Sequence, residues 1–169
     1  LALEQARSAA GVGQRRLMRA DRGQPTLRFR SWGEEDREAC LSIFDANCPT
    51  FFAPNERIEY ARFLDAAPDG YEVCELQERV VGACGLIRHD GGESLNWIMI
   101  DPAAQGYGIG AAMMERVVSL ARASGCASIN IAASHKSAAF FERFGAVATE
   151  RTVDGWGPGM DRVDMELRL

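Results

Sequence analysis

The chain has 169 residues, 47% hydrophobic and 25% charged, with a formal net charge of −5, which suits one domain with a real core. Its lysines and arginines are scattered, so neither nucleic acid nor an anionic membrane is the expected partner; two histidines and five widely spaced cysteines without any CxxC leave little for a metal site. No apolar run approaches the roughly 18 residues of a membrane span and no signal-peptide core opens the chain, so a cytoplasmic protein is expected, its cysteines acting as small buried hydrophobes.

Residues 1–25 show little periodicity and read as an N-terminal extension; residues 26–169 read as the domain. TLRFRSW, 26–32, alternates apolar and polar side chains with the period of a half-buried strand. EEDREACLSIFDAN, 34–47, follows as a helix, with acids in the first turn, where the helix dipole favours them, and Cys40, Ile43 and Phe44 on one face. CPTFFAPN is a turn-rich break, and NERIEYARFLDAA, 55–67, resumes as a second helix. YEVCEL, 71–76, and VVGACGLI, 80–87, fit a hairpin whose second strand, apolar throughout, is central in its sheet. LNWIMI, 95–100, is another strand, halted by Asp101-Pro102. After a run of glycines, Met114, Val117, Val118 and Ala121 recur at helical spacing and Gly125 closes the helix. CASINIAA, 126–133, is a strand and SHKSAAFFERFGA, 134–146, a short helix. A last hairpin joins AVATERT to DRVDMELRL through the loop VDGWGPGM. The order is that of a single mixed α/β domain, a central mixed sheet of about six to seven strands flanked by about four helices.

The glycines Gly106, Gly108 and Gly110 stand at the mouth of a helix, where each costs about 1 kcal/mol relative to alanine. Between a buried strand and a helix they turn the chain sharply and aim backbone N–H groups at one point, beside the positive end of the helix dipole: an anion cradle suited to phosphate. A Walker A loop does not fit, because Gly110 is followed by Ala111 and Ala112 rather than Lys and Ser or Thr; a dinucleotide fingerprint does not fit either, because the next strand ends in IAAS and lacks the terminal acid.

Gln105-Gly106-Tyr107-Gly108-Ile109-Gly110 resembles the [Q/R]-x-x-G-x-[G/A] signature of the GNAT superfamily of N-acetyltransferases. WIMIDPAAQ is similar to that family's fourth strand and its exit, and SHKSAAFFERFGA resembles its second motif, N-x-x-A-x-x-F-Y-E-K-x-G-F. The resemblance extends over residues 26–169, including the order of elements. It implies acetyl-CoA as co-substrate, without a metal. Backbone groups of Ile98, Met99 and Ile100 would hold the pantetheine arm as an added strand where the fourth and fifth strands splay. Backbone N–H groups from Gln105 through Gly106, Tyr107, Gly108 and Ile109 to Gly110 would take the pyrophosphate, Ala111 would let the cofactor pass close to the helix, and Ser134, Ser137, Phe140 and Phe141 would border the thioester, the phenylalanines serving mainly the core.

The implied activity is transfer of an acetyl group to a primary amine of a small molecule or peptide, by direct attack in a ternary complex. Glu93, near the start of the fourth strand, is either the base that takes the amine's proton or a solvated turn residue; His135 is the second candidate base. Two departures from the family pattern stand out: Ser134 replaces an asparagine, and Phe141 replaces a tyrosine that many members use to protonate the departing thiolate. Water, Ser137 or His135 is left to do this. Candidate acceptor contacts are Phe51, Phe52, Tyr60, Trp97, Trp156 and Asp161. A catalytically silent CoA-binding sensor and an acetyltransferase of a macromolecular acceptor are the alternative readings, and the sheet edge is a candidate homodimer surface.

Overall fold

A computed structural model describes residues 26–169; the extension expected over 1–25 lies outside the described residues. The first strand, β1 (Leu27–Ser31), ends in a clamp that starts the first helix. Asp36 closes a short 3-10 turn, accepting the Gly33 N–H at 3.0 Å and two bonds from the Arg30 guanidinium at 2.6 and 2.8 Å. Helix α1 (Arg37–Asn47) then buries Cys40, Leu41, Ile43, Phe44 and Asn47 on one face, and α2 (Glu56–Asp65) buries Glu56, Tyr60 and Leu64.

Strands β2 (Tyr71–Leu76), β3 (Arg79–His89) and β4 (Gly92–Ile100) form an antiparallel meander. A short 3-10 turn (Pro102–Ala104), capped by the Asp101 side chain on the Ala103 N–H at 2.9 Å, leads into α3 (Ile109–Ala123). Strand β5 (Ser128–Ser134), helix α4 (Ala138–Glu142) and the hairpin of β6 (Val147–Gly157) and β7 (Met160–Arg168) complete the chain. The sheet has seven strands in the order β1-β2-β3-β4-β5-β7-β6, antiparallel except for β4 and β5.

Apolar side chains meet on both faces of this sheet, which therefore supports two cores. One gathers Ile109, Met113, Met114, Val117 and Ala121 of α3 and Phe141 of α4 against Ile129, Ile131, Met165 and Leu167; the other gathers α1 and α2 against Tyr71, Val73, Ala83 and Met99. An ion pair, Arg116 to Glu72 at 2.7 Å, ties α3 to β2.

Two elements differ from the sequence reading. Helix α4 is only five residues long, because Ser134 still pairs with Arg162 in the sheet while Phe144 and Gly145 already donate to the i−3 carbonyls of Phe141 and Glu142. Residues 153–157, expected as loop, continue β6, and the reversal is confined to Pro158-Gly159.

Candidate functional site

Parallel pairing between β4 and β5 is limited to Glu93↔Ile129, Ser94↔Asn130 and Leu95↔Ile131. Beyond Leu95 the strands separate. What drives them apart lies in β4 itself: Asn96 faces Gly85 and Met99 faces Ala83, so Trp97 and Ile98 together oppose Cys84 in a β-bulge. Trp97 has φ +46°, a conformation costing a non-glycine residue about 1–3 kcal/mol. It is held there from outside the strand. Its carbonyl accepts the Tyr71 hydroxyl at 3.0 Å, and its ring sits 4.9 Å from that of Tyr60 and 6.0 Å from that of Phe52.

The split opens a cavity of about 330 Å³. Its wall includes Ile98, Met99, Ile100, Gln105, Ser134, Ser137, Phe140 and Phe141, so eight of the expected cofactor contacts meet there. The edge of β4 beyond Leu95 has no strand partner on the β5 side, which leaves backbone donors and acceptors for an extended ligand. Ser134 and Ser137 share a hydrogen bond at 3.1 Å between their hydroxyls.

Gly106, Tyr107, Gly108, Ile109, Gly110 and Ala111 are not in the cavity wall but continue from Gln105 at its mouth. Gly106 and Gly108 have φ +89° and +75°, and Gly108 caps α3. Space is not what demands glycine there, since a Cβ at either would meet nothing within 4 Å; the left-handed backbone is. Gly110 differs: a Cβ would lie 2.9 Å from the Phe140 ring and 3.3 Å from Ile100, so its absence lets α3 approach α4 and β4. The result is an exposed turn of backbone N–H groups at the start of a 15-residue helix, the arrangement that suits an anion.

Asn47, Phe51, Phe52, Glu56, Trp97 and Trp156 also line the cavity. Asn47 reaches from α1 to the Ile100 carbonyl at 2.9 Å, fixing the end of β4. Trp156 roofs the cavity: its indole N–H donates to the Ala133 carbonyl of β5 at 3.0 Å, and its carbonyl accepts the Asn55 side chain at 2.8 Å. Of the residues expected on the acceptor side, Phe51, Phe52, Trp97 and Trp156 line this cavity. Tyr60 is fully buried beneath it, and Asp161 lies outside, taking Arg151 at 2.6 Å and the Asp154 N–H at 3.0 Å.

Neither residue named as base belongs to the cavity wall. Glu93 lies where β4 and β5 still pair, with its carboxylate accepting Arg88 at 2.8 Å and Ser124 at 2.8 Å. The Arg88 hydrogen bond, aided by Ser124 and Cys126, outweighs burial and holds its carboxyl below the usual range, the opposite of what a base near neutrality needs. His135 accepts the Asp161 N–H through Nδ1 at 3.1 Å and borders a separate depression with Glu142 and Arg151. This geometry sets both residues apart from the cavity wall.

The carboxylate that does line the cavity is Glu56, 4% exposed. Its Oε2 accepts the Ala53 N–H at 2.6 Å; its Oε1 has no hydrogen-bond partner among the described residues. Burial pushes the carboxyl up to about 7 against the pull of that N–H, with nearby Glu59 adding to the rise. In the sequence Glu56 is one more acid in the first turn of a helix, and only the packing of the α1–α2 loop against the sheet distinguishes it.

The model of the acetyltransferase (GNAT) family matches residues 40–146. Among solved structures, a GNAT-family protein from Desulfovibrio desulfuricans is 22% identical with a TM-score of 0.71, the match covering 85% of this chain and 99% of that one. The ribosomal-protein-S18-alanine N-acetyltransferase of Escherichia coli is 17% identical with a TM-score of 0.70, covering 85% and 94%. The yncA protein of Salmonella typhimurium, solved with its cofactor acetyl-CoA, is 18% identical with a TM-score of 0.64, covering 85% and 94%. At these identities the likeness is one of fold. No curated protein matches the chain by sequence.

Proposed function

From the premise that this chain belongs to the acetyltransferase (GNAT) family, whose members are acetyl-CoA-dependent N-acetyltransferases, we propose that it transfers the acetyl group to a primary amine of a small molecule by direct attack in a ternary complex. The observation that carries this reading is the continuity of three features: the β4 edge freed beyond Leu95, the cavity at the split, and the left-handed glycine turn at the head of α3. When bound, acetyl-CoA supplies an activated thioester. The chain's own residues do the rest. Backbone groups of Ile98 to Ile100 align the pantetheine arm, the N–H groups of Gln105 to Gly110 hold the pyrophosphate, and Phe140 and Phe141 exclude water from the reacting end.

Phe141 has no proton to give a departing thiolate. The hydroxyls of Ser134 and Ser137, paired on the cavity wall, take that place in this reading. Positioning of the two reactants supplies much of the acceleration, so modest proton transfer is enough. An acceptor of small size is supported by the cavity's modest volume of about 330 Å³.

The test is calorimetric titration with acetyl-CoA, followed by a mixed pool of small amines in the same cell. The parent should bind and then release CoA in an amine-dependent manner. Gly108→Val, which forces a β-branched residue to φ +75°, should weaken binding at least about tenfold. Failure of the folded parent to bind would overturn the proposal; binding without release from any amine would favour the catalytically silent reading that Phe141 suggests.

A further inference from the structure

Resting on the reading above, we infer that Glu56 is the group that binds the acceptor's ammonium and takes its proton, and that the acceptor is a primary amine carried on an aromatic or similarly apolar body. Three observations lead here. Glu56 lines the same cavity as the expected pantetheine contacts, and the residue is almost wholly removed from bulk water. One oxygen is fixed by the Ala53 N–H while the other has no protein partner, so the side chain is oriented with one acceptor site unspent. The same wall carries Phe51, Phe52, Trp97 and Trp156, whose apolar bodies suit a flat apolar substituent; Trp97 is itself packed against Phe52 and Tyr60, and the Arg162 guanidinium lies over the Trp156 ring, 5.0 Å from its centroid.

The charged and titratable neighbours are consistent with this use. Burial raises the Glu56 carboxyl, with Glu59, one turn along α2, adding to the rise, and burial, then Asp45 and Glu56, raise the Cys48 thiol of the α1–α2 loop. Lys136, on the exposed turn before α4, is the one cationic side chain on the cavity wall among the described residues. Arg57, next in α2, is engaged by Asp45 at 2.6 Å on the outer surface. No described arginine pairs with Glu56, which leaves its charge for a ligand.

Proton bookkeeping closes. The Glu56 carboxylate accepts one proton from the bound ammonium. The neutral nitrogen then attacks the thioester carbonyl carbon; the C–N bond forms, the C–S bond breaks, and its electron pair leaves on sulfur. The second proton shed by nitrogen passes to that sulfur, through the serine hydroxyls or water, and Glu56 returns its own proton to solvent. One ammonium and one thioester become one amide, one thiol and one released proton.

Phenethylamine is the probe, with putrescine as the polar comparator, each titrated calorimetrically into protein saturated with CoA. Phenethylamine should bind at pH 8, at least about tenfold tighter than putrescine, and weaken as pH falls through 7 and the carboxylate is neutralised. Glu56→Gln keeps an oxygen for the Ala53 N–H and so keeps the loop. It should bind acetyl-CoA as the parent does, lose phenethylamine binding at least about tenfold, and lower kcat about a hundredfold with loss of the acidic limb of the pH profile. Unchanged phenethylamine binding and pH profile in Glu56→Gln would overturn the role of Glu56. Equal affinity for the two amines, or none for phenethylamine in a protein that binds acetyl-CoA, would overturn the acceptor class while sparing the family site. Failure to bind acetyl-CoA would remove both.

Discussion

Two buried carboxylates, Glu56 and Glu93, are held in opposite ways, and the difference has thermodynamic consequences that need no substrate. Glu93 is hydrogen-bonded as an anion, so its folded pKa lies below the ordinary value; its contribution is present above about pH 4.5 and is lost as pH falls through the lowered folded value. Glu56 is raised from 4.5 to about 7, so the fold prefers it protonated: it weakens stability as pH rises through that window, by up to about 3 kcal/mol once fully ionised. Thermal unfolding at pH 8 should therefore show Glu56→Gln above the parent, the gap closing below pH 4.5. Glu93→Gln should fall below the parent at pH 8 by about 1–2 kcal/mol, converge with it in acid, and retain near-parental kcat. A Glu56→Gln variant less stable than the parent at pH 8 would mean that its carboxylate serves the fold rather than a ligand. The resemblance pointed to Glu93, whereas the acid on the cavity wall is Glu56. Glu93 follows a glycine turn at the start of a strand, and nothing local reveals that Arg88 and Ser124 close around it; Glu56 reads as a helix-start acid because its burial depends on how a loop meets the sheet.

At the scale of elements, the cavity has a floor made by β4 and a roof made by the β6–β7 hairpin. The floor's elements were legible: WIMIDPAAQ as strand and exit, and the glycine run as the head of a helix. The bulge at Trp97 was not, because a left-handed tryptophan has no local signature and is imposed by Tyr71 and the ring cluster of α1 and α2. The roof was half legible. DGWGPGM signals a reversal, yet β6 runs through Gly157 because the hairpin docks on the α1–α2 loop. Gly157 marks that contact: a Cβ there would lie 2.5 Å from Asn55 Oδ1 and 3.2 Å from Ala53. Gly157→Ala should push the hairpin off the loop, costing about 1–3 kcal/mol of stability. Steady-state kinetics should show a KM for phenethylamine raised several-fold while acetyl-CoA affinity stays near parental. An equal loss of both would show that the hairpin supports the whole cavity rather than the acceptor contacts alone.

For the whole molecule, the split that makes the site also divides the sheet into β1–β4 and β5–β7–β6, joined in the ladder by only three residue pairs. The remaining ties among the described residues include the buried face of α3, the Glu93 to Ser124 bond beside the ladder and the Asn55 to Trp156 bond across the roof. An extended ligand lying in the split contacts both halves and supplies the backbone partners that β4 lacks, so binding and sheet stability are coupled. The size of that coupling follows from mass action: at a hundred times its Kd a ligand of the native state adds about 2.7 kcal/mol, which for a chain of this length is a rise in Tm of about 5–10 °C. Acetyl-CoA should give that rise in the parent and little in Gly108→Val at the same concentration. The protection it brings should also be local. Hydrogen exchange should slow at amides within 96–100 of β4, 132–134 of β5 and 105–110 of the glycine turn, while the β1–β2 edge exchanges as before. If slowing appeared only in the turn, the ligand would be held by its phosphates without entering the split, and the β4 edge would have to be explained without it.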